Sequence, residues 1–198
     1  MMTGLDEQTK GAIIDHQNDA DYWMEYRQGN ILNEFDLDYI VHQCNCFHCM
    51  GGGVAYALSK TWPKVYEVDN ETVYGSKDKM GTYSAANIKR PVELNGEIVE
   101  HDLNVINIYS QYEPGMAVTN EEIEFSKECL KKAFIQLRED IITRAESCIL
   151  ENRKYLVGIP WMIGCGIYGM NVNEIFELIR NLFYDYAHVI RIVFVDYN

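Results

Sequence analysis

His42, Cys44, Cys46, His48 and Cys49 fall in one short run, and thiolates and imidazoles are the usual ligands of zinc. Structural zinc takes paired ligands from two separated knuckles. Here the cluster is single, and half of it continues a strand whose side chains alternate between faces. The other reading of Cys44 and Cys46 is therefore as small apolar packing residues on one face of a buried strand. Directly after the cluster come Gly51, Gly52 and Gly53, followed by a helical pattern from Val54. Glycines let a backbone take unusual conformations and let a ligand approach its N–H groups. The first N–H groups of the following helix have no intrahelical partner and carry the positive end of its dipole, which suits a phosphate. The loop is neither a Walker A sequence nor the spaced glycine pattern of dinucleotide-binding folds, so backbone amides would do most of the holding. A tight turn packing a helix onto a strand is the alternative.

The elements that must position these groups follow from hydrophobic periodicity. Tyr22 to Arg27 is aromatic and β-prone, and Gln28-Gly29-Asn30 ends it in a turn where Asn30 can bond its own backbone. Tyr39 to Val41 begins the strand that enters the cysteine run. Val54 to Thr61 reads as a helix, interrupted at Trp62-Pro63, with a second helix through Glu71. Gly81 to Ile88 and Asn104 to Ser110 read as strands, with Asn95-Gly96 marking a hairpin-type turn between them. Asn120 is the expected N-cap of a long amphipathic helix carrying Ile123, Leu130, Phe134, Leu137 and Ile141 on one face. A buried strand over Tyr155 to Ile159, a second glycine-rich loop over Ile163 to Met170, a helix over Val172 to Phe183 and a strand over Val189 to Val195 complete the chain. Alternating strands and helices indicate an α/β domain with a sheet covered on both faces. Such sheets bind ligands beyond the carboxyl ends of their strands. Both glycine loops lie there, and a diphosphate between them is the specific expectation.

The chain has 198 residues with 47% hydrophobic content, enough for one domain with a substantial core. Residues 1–21 lack periodicity and read as an N-terminal extension to a domain over 22–198. A net charge of −13 without clustered Lys and Arg argues against a nucleic-acid partner. An anionic small molecule is still compatible with local amides and dipoles. The six cysteines and the polar, acidic N-terminus fit a reducing, cytoplasmic setting, and no apolar run approaches a membrane span.

Taken together, Gly29-Asn30-Ile31-Leu32, the Ile40 to Val54 strand and glycine loop, and Ile159 to Gly169 resemble, in order, three motifs of the macrodomain family. The resemblance covers residues 23–198 and implies a three-layer α/β/α fold with a central mixed, largely parallel sheet. Within the family the chain is similar to the fungal-type ADP-ribose 1″-phosphate phosphatases, through GNIL, HQCNC, GGGVAYAL and Trp62-Pro63-Lys64. That subgroup has a histidine where many macrodomains have the first asparagine of the strand motif, which places His42 in the functional position. The resemblance implies that Asn30 and Ile31 meet adenine, that Asn45 contacts the distal ribose, and that Gly51, Gly52, Gly53 and Val54 form the first phosphate loop. It makes Gly164, Cys165, Gly166, Ile167 and Tyr168 the second. The implied ligands are ADP-ribose, ADP-ribose 1″-phosphate or an ADP-ribosylated protein, with no cofactor.

Phosphate removal needs an in-line nucleophile, stabilisation of the equatorial oxygens and a proton for the leaving ribose oxygen. An imidazole near neutral pKa lets His42 act as base or nucleophile, with Asn45 beside it and His48 and Tyr168 as auxiliary groups. No acidic residue near the loop is an evident metal ligand, so the expected action is metal-independent and slow. Ala55 stands where some ADP-ribosyl hydrolases of the family use an aspartate, and Ser110 and Gln111 where terminal glycohydrolases carry a lysine. Both departures count against those activities, and the main alternative is a non-catalytic ADP-ribose binding or sequestering module, which needs the same loops without His42 chemistry. An asparagine at position 30, where the family usually has an aspartate, accepts without the charge.

Overall fold

The computed structural model describes residues 23–94, 96–145, 153–166 and 168–197. The extension over 1–21, its boundary at residue 22, Asn95 of the hairpin turn and Ile167 lie outside the described residues. Six strands form one sheet in the order β1-β6-β5-β2-β4-β3: β1 Met24–Gln28, β2 Tyr39–Asn45, β3 Tyr83–Leu94, β4 Glu97–Gln111, β5 Tyr155–Pro160 and β6 Ile190–Asp196. All neighbours pair in parallel except β3 and β4, which are antiparallel. The helices are α1 Gly53–Thr61, α2 Lys64–Asn70, α3 Asn120–Arg144 and α4 Val172–Phe183.

Alternation along each strand builds two cores. Val41, Ile106, Ile108, Val157, Ile159, Ile192 and Phe194 face α3 and α4, against Leu130, Phe134, Leu137, Ile179 and Phe183. Ile40, Cys44, Val105, Tyr109, Val193 and Val195 face α1 and α2, against Leu58 and Val65. Parallel strands need a crossover between them, and the crossovers place helices on both faces. The result is the expected three-layer α/β/α architecture with a mixed, mostly parallel sheet.

Two expectations shift in detail. The strands β3 and β4 run longer than their apolar segments, because the turn at Gly96, with φ +84, joins them directly and their backbone ladder continues into polar sequence. The long helix starts at Asn120, but its cap is Thr119. The Thr119 hydroxyl accepts from the Glu122 N–H, and the Glu122 carboxylate accepts from the Thr119 N–H, satisfying two end groups reciprocally.

Gly158 in β5 lies against Leu37, which is fully buried, and a Cβ at Gly158 would run into the Leu37 side chain. Gly158→Ala is expected to destabilise the fold by about 1–3 kcal/mol through overpacking. A lowered urea midpoint at unchanged slope is the readout, and an unchanged midpoint would show that Leu37 can move aside.

Candidate functional site

The carboxyl ends of β2, β4, β5 and β6 meet at one rim, where two adjoining cavities open. The distal one, about 440 Å³, is lined by Gly51, Gly52, Gly53, Val54 and Ala55 on one side and by Ile163, Gly164, Gly166 and Tyr168 on the other. The proximal one, about 490 Å³, is mostly apolar and takes Ile31, Leu32, Ala57, Trp161 and Met162 as walls. Gly53, Val54, Pro160 and Met162 border both. The two glycine loops are thus brought together, as their motifs require.

The loops differ in what they offer. Helix α1 starts at Gly53, with φ +57, and its N-cap is Gly52, in extended backbone with no side-chain cap. Its leading N–H groups therefore belong to the cavity wall, at the positive end of the helix dipole. Helix α4 follows the second loop but is capped by its own Asn171, which accepts from Asn173 and Glu174 N–H. What the second loop contributes is its own backbone. Gly164, with φ +72, lies so close to Met170 that a Cβ would stand 2.6 Å from its Sδ, so only glycine fits that turn. Cys165 turns its thiol to the Ile163 carbonyl at 3.3 Å and packs on the core, away from both cavities.

Asn45 sits where a bulge shifts the β2–β4 register, after Cys44. Its Oδ1 accepts from Phe47 N–H at 2.9 Å and Cys49 N–H at 3.2 Å, and its Nδ2 donates to the Cys49 carbonyl at 2.7 Å. The side chain borders the distal cavity while holding the turn that carries the glycine loop. His48, within that turn, has φ +52 and bonds Thr72 Oγ1 at 3.0 Å.

His42 departs most from its sequence reading. Alternation puts it with Ile40 and Cys44 on the α1/α2 face, and it is 2% exposed. The Nδ2 of Asn107 donates to Val65 O at 3.0 Å and to Ser84 Oγ at 3.1 Å, so its Oδ1 must accept, from His42 Nε2–H at 2.6 Å. That network assigns the tautomer. The other ring nitrogen lies 3.6 Å from Cys44 Sγ. Burial lowers the His42 pKa to about 4, only partly opposed by the bond to Asn107. The near-neutral imidazole expected from sequence is therefore corrected: His42 is neutral at pH 7, although it still reaches the distal cavity wall. Burial also raises the Cys44 and Cys46 thiols. Among the described residues no three His, Cys, Asp or Glu side chains are grouped to hold a metal, although His42 and Cys44 share one face of β2.

Asn30 behaves as the turn residue its sequence context allows, with Oδ1 accepting from Leu32 N–H at 3.0 Å. Together with Ile31 it lines the proximal cavity. Sequence reasoning missed Trp161, Met162, Asp196 and Tyr197, which share that wall. The available signal was position: Asp196 is a charged residue closing the apolar run Ile192 to Val195 at the carboxyl edge.

No family model matches the chain. An uncharacterized 17.5 kDa protein in the tk-vs intergenic region of Enterobacteria phage T4 is 29% identical over 177 residues, covering 88% of this chain and 97% of that protein. Among solved structures, the macrodomain of Mycobacterium tuberculosis DarG superposes with a TM-score of 0.57 at 15% identity, over 89% of this chain and 99% of that one. The macrodomain of Thermus aquaticus DarG gives 0.52 at 18% identity, over 88% and 97%. Thermosipho africanus DarTG in complex with ADP-ribose gives 0.50 at 16% identity, over 87% of this chain and 41% of that one. The fold is that of a macrodomain.

The His42 environment makes stability depend on pH. Its folded pKa of about 4 lies below the unfolded value near 6.5, so between them the unfolded chain binds more protons. The wild type should lose up to about 3 kcal/mol relative to His42→Gln as pH falls from 6.5 to 4. Urea unfolding of both proteins across that range measures it, and parallel pH profiles would refute the buried neutral imidazole.

Proposed function

We propose that this chain binds ADP-ribose along the carboxyl edge of its sheet. The adenosine lies in the proximal cavity beside Asn30 and Ile31, and the diphosphate and distal ribose run over Gly51 to Val54, facing Gly164, Gly166 and Tyr168. The observation that carries this reading is the uncapped N-terminus of α1, which opens into the wall of two adjoining cavities, one apolar and one lined by backbone. That arrangement complements a nucleoside joined to a diphosphate. The ADP-ribose complex of a protein with the same fold supports it. ADP-ribose itself is the form to test first, and an ADP-ribosylated protein the form to test next.

Removal of phosphate from ADP-ribose 1″-phosphate is a second reading, favoured by the placement of His42 at the wall of the distal cavity. With Nε2–H committed to Asn107, the lone pair of Nδ1 is the one that would take a proton from water. A base of pKa about 4 is weak, which fits slow turnover.

Gly52 has extended backbone and open space around its Cβ position, so Gly52→Glu should fold while placing bulk and charge in the loop. Titration calorimetry with ADP-ribose is expected to show binding by the wild type and none by Gly52→Glu. Undiminished affinity in the variant would remove this loop from the site. For the second reading, wild-type protein should release phosphate from ADP-ribose 1″-phosphate with or without chelator, and His42→Ala, once shown to fold by circular dichroism, should bind without releasing it. Equal release by both would exclude His42 from the chemistry.

A further inference from the structure

From Gln111 to Ser126, where the chain leaves β4 and enters α3, there are four glutamates, Glu113, Glu121, Glu122 and Glu124, and no Lys or Arg. The loop in this stretch is tied down at both ends. Gln111 Nε2 donates to the Gly115 carbonyl at 2.8 Å, and Val118 N–H donates to the Glu122 carboxylate at 2.6 Å, beside the capping box of α3. Between these ties Met116 and Val118 stand 76% and 87% exposed, and Phe125, one helical turn beyond Glu121, is 57% exposed. Apolar side chains grouped along one anchored segment mark a contact surface, whereas scattered ones need no explanation. The segment also adjoins the proposed ligand site. Pro114 and Gly115 line the distal cavity, and Tyr168, in the same wall, lies close enough to Ser126 and Glu122 for both to act on its hydroxyl. Lys127 pairs with Glu124 and Glu174, while Glu113 and Glu121 have no ion pair among the described residues.

We propose that the Glu113 to Phe125 segment docks the polypeptide that carries the ADP-ribosyl group, and that the partner it fits is an extended, basic peptide with apolar side chains among its Lys and Arg residues. The proposal rests on the ADP-ribose reading above. With the distal ribose in the distal cavity, a chain joined to that ribose passes the wall at Pro114 and Gly115, which leads directly to Met116 and Val118. Charge decides the class of carrier. Glutamates without a neighbouring cation attract Lys and Arg and repel phosphate, so a nucleic-acid carrier would approach against the local field. Burial of Met116, Val118 and Phe125 supplies affinity, and the glutamates supply orientation and speed of encounter. The ties at Gln111 and Glu122 lower the cost of ordering the loop on binding.

The test is calorimetric titration, in low-salt buffer, of wild type, Met116→Ser/Val118→Ser and Glu113→Gln/Glu121→Gln. The ligands are free ADP-ribose and ADP-ribose joined at the distal ribose, through an uncleavable triazole, to a Lys/Arg-rich peptide, a Glu-rich peptide of the same length or a single-stranded oligonucleotide. Wild type should bind the basic conjugate at least about tenfold more tightly than free ADP-ribose, and the other two conjugates no more tightly than it. Each double variant should bring the basic conjugate to within about threefold of the free ligand. Affinity for free ADP-ribose should stay unchanged, since none of the four substituted residues lines either cavity. No advantage for the basic conjugate, an equal advantage for the Glu-rich peptide or the oligonucleotide, or an advantage kept by either variant overturns the proposal while leaving ADP-ribose binding intact. Binding of no ligand by wild type overturns the ADP-ribose reading and this proposal with it.

Discussion

Beneath the glycine loop, one chain of hydrogen bonds ties the sheet to α2. His42 donates to Asn107, Asn107 to Ser84 and to the Val65 carbonyl, Ser84 pairs with the Tyr109 hydroxyl, and Tyr109 donates to Asp69 Oδ1. Lys79 continues from Asp69, at 3.5 Å, to the Cys46 carbonyl at 3.3 Å. Polar groups at this depth are costly when unpaired, so their partners must stay in place. The chain thereby sets where β2 ends and where the turn toward Gly51 begins. Asp69 Oδ2 has no partner among the described residues, and the aromatic face of Tyr109, 4.2 Å from Lys79 Nζ, helps hold the cation beside Asp69.

With the loop so placed, the electrostatics of the rim are local. The chain carries a net charge of −13, and no Lys or Arg is among the described residues lining either cavity. An anion at this edge would meet backbone N–H groups and the dipole of α1, which act within the first turn and are little affected by distant surface charge. The self-capped α4 shows the contrast. Two loops of similar glycine content differ because Asn171 satisfies one helix end and Gly52 leaves the other open.

Three residues singled out for ligand contact work first on the protein itself. Asn45 holds the turn, Asn30 caps the short helical turn at Ile31–Asn33, and His42 fastens β2 to β4. Each polar atom used internally leaves a narrower set of atoms for a ligand.

The sequence by itself determined the layer architecture, the order of strands and helices, and the two glycine loops. Those depend on local periodicity and on turn chemistry, which neighbouring residues express directly. It left the site's polar chemistry open. Whether His42 is near-neutral or held near pKa 4 depends on burial under α2 and on Asn107, sixty-five residues away in β4. Whether Thr119 or Asn120 caps α3 depends on which side chain meets Glu122. Asp196 takes the Tyr26 hydroxyl because β6 pairs with β1, which comes from the other end of the chain. Such outcomes follow from long-range contacts and desolvation, and only the tertiary structure decides them.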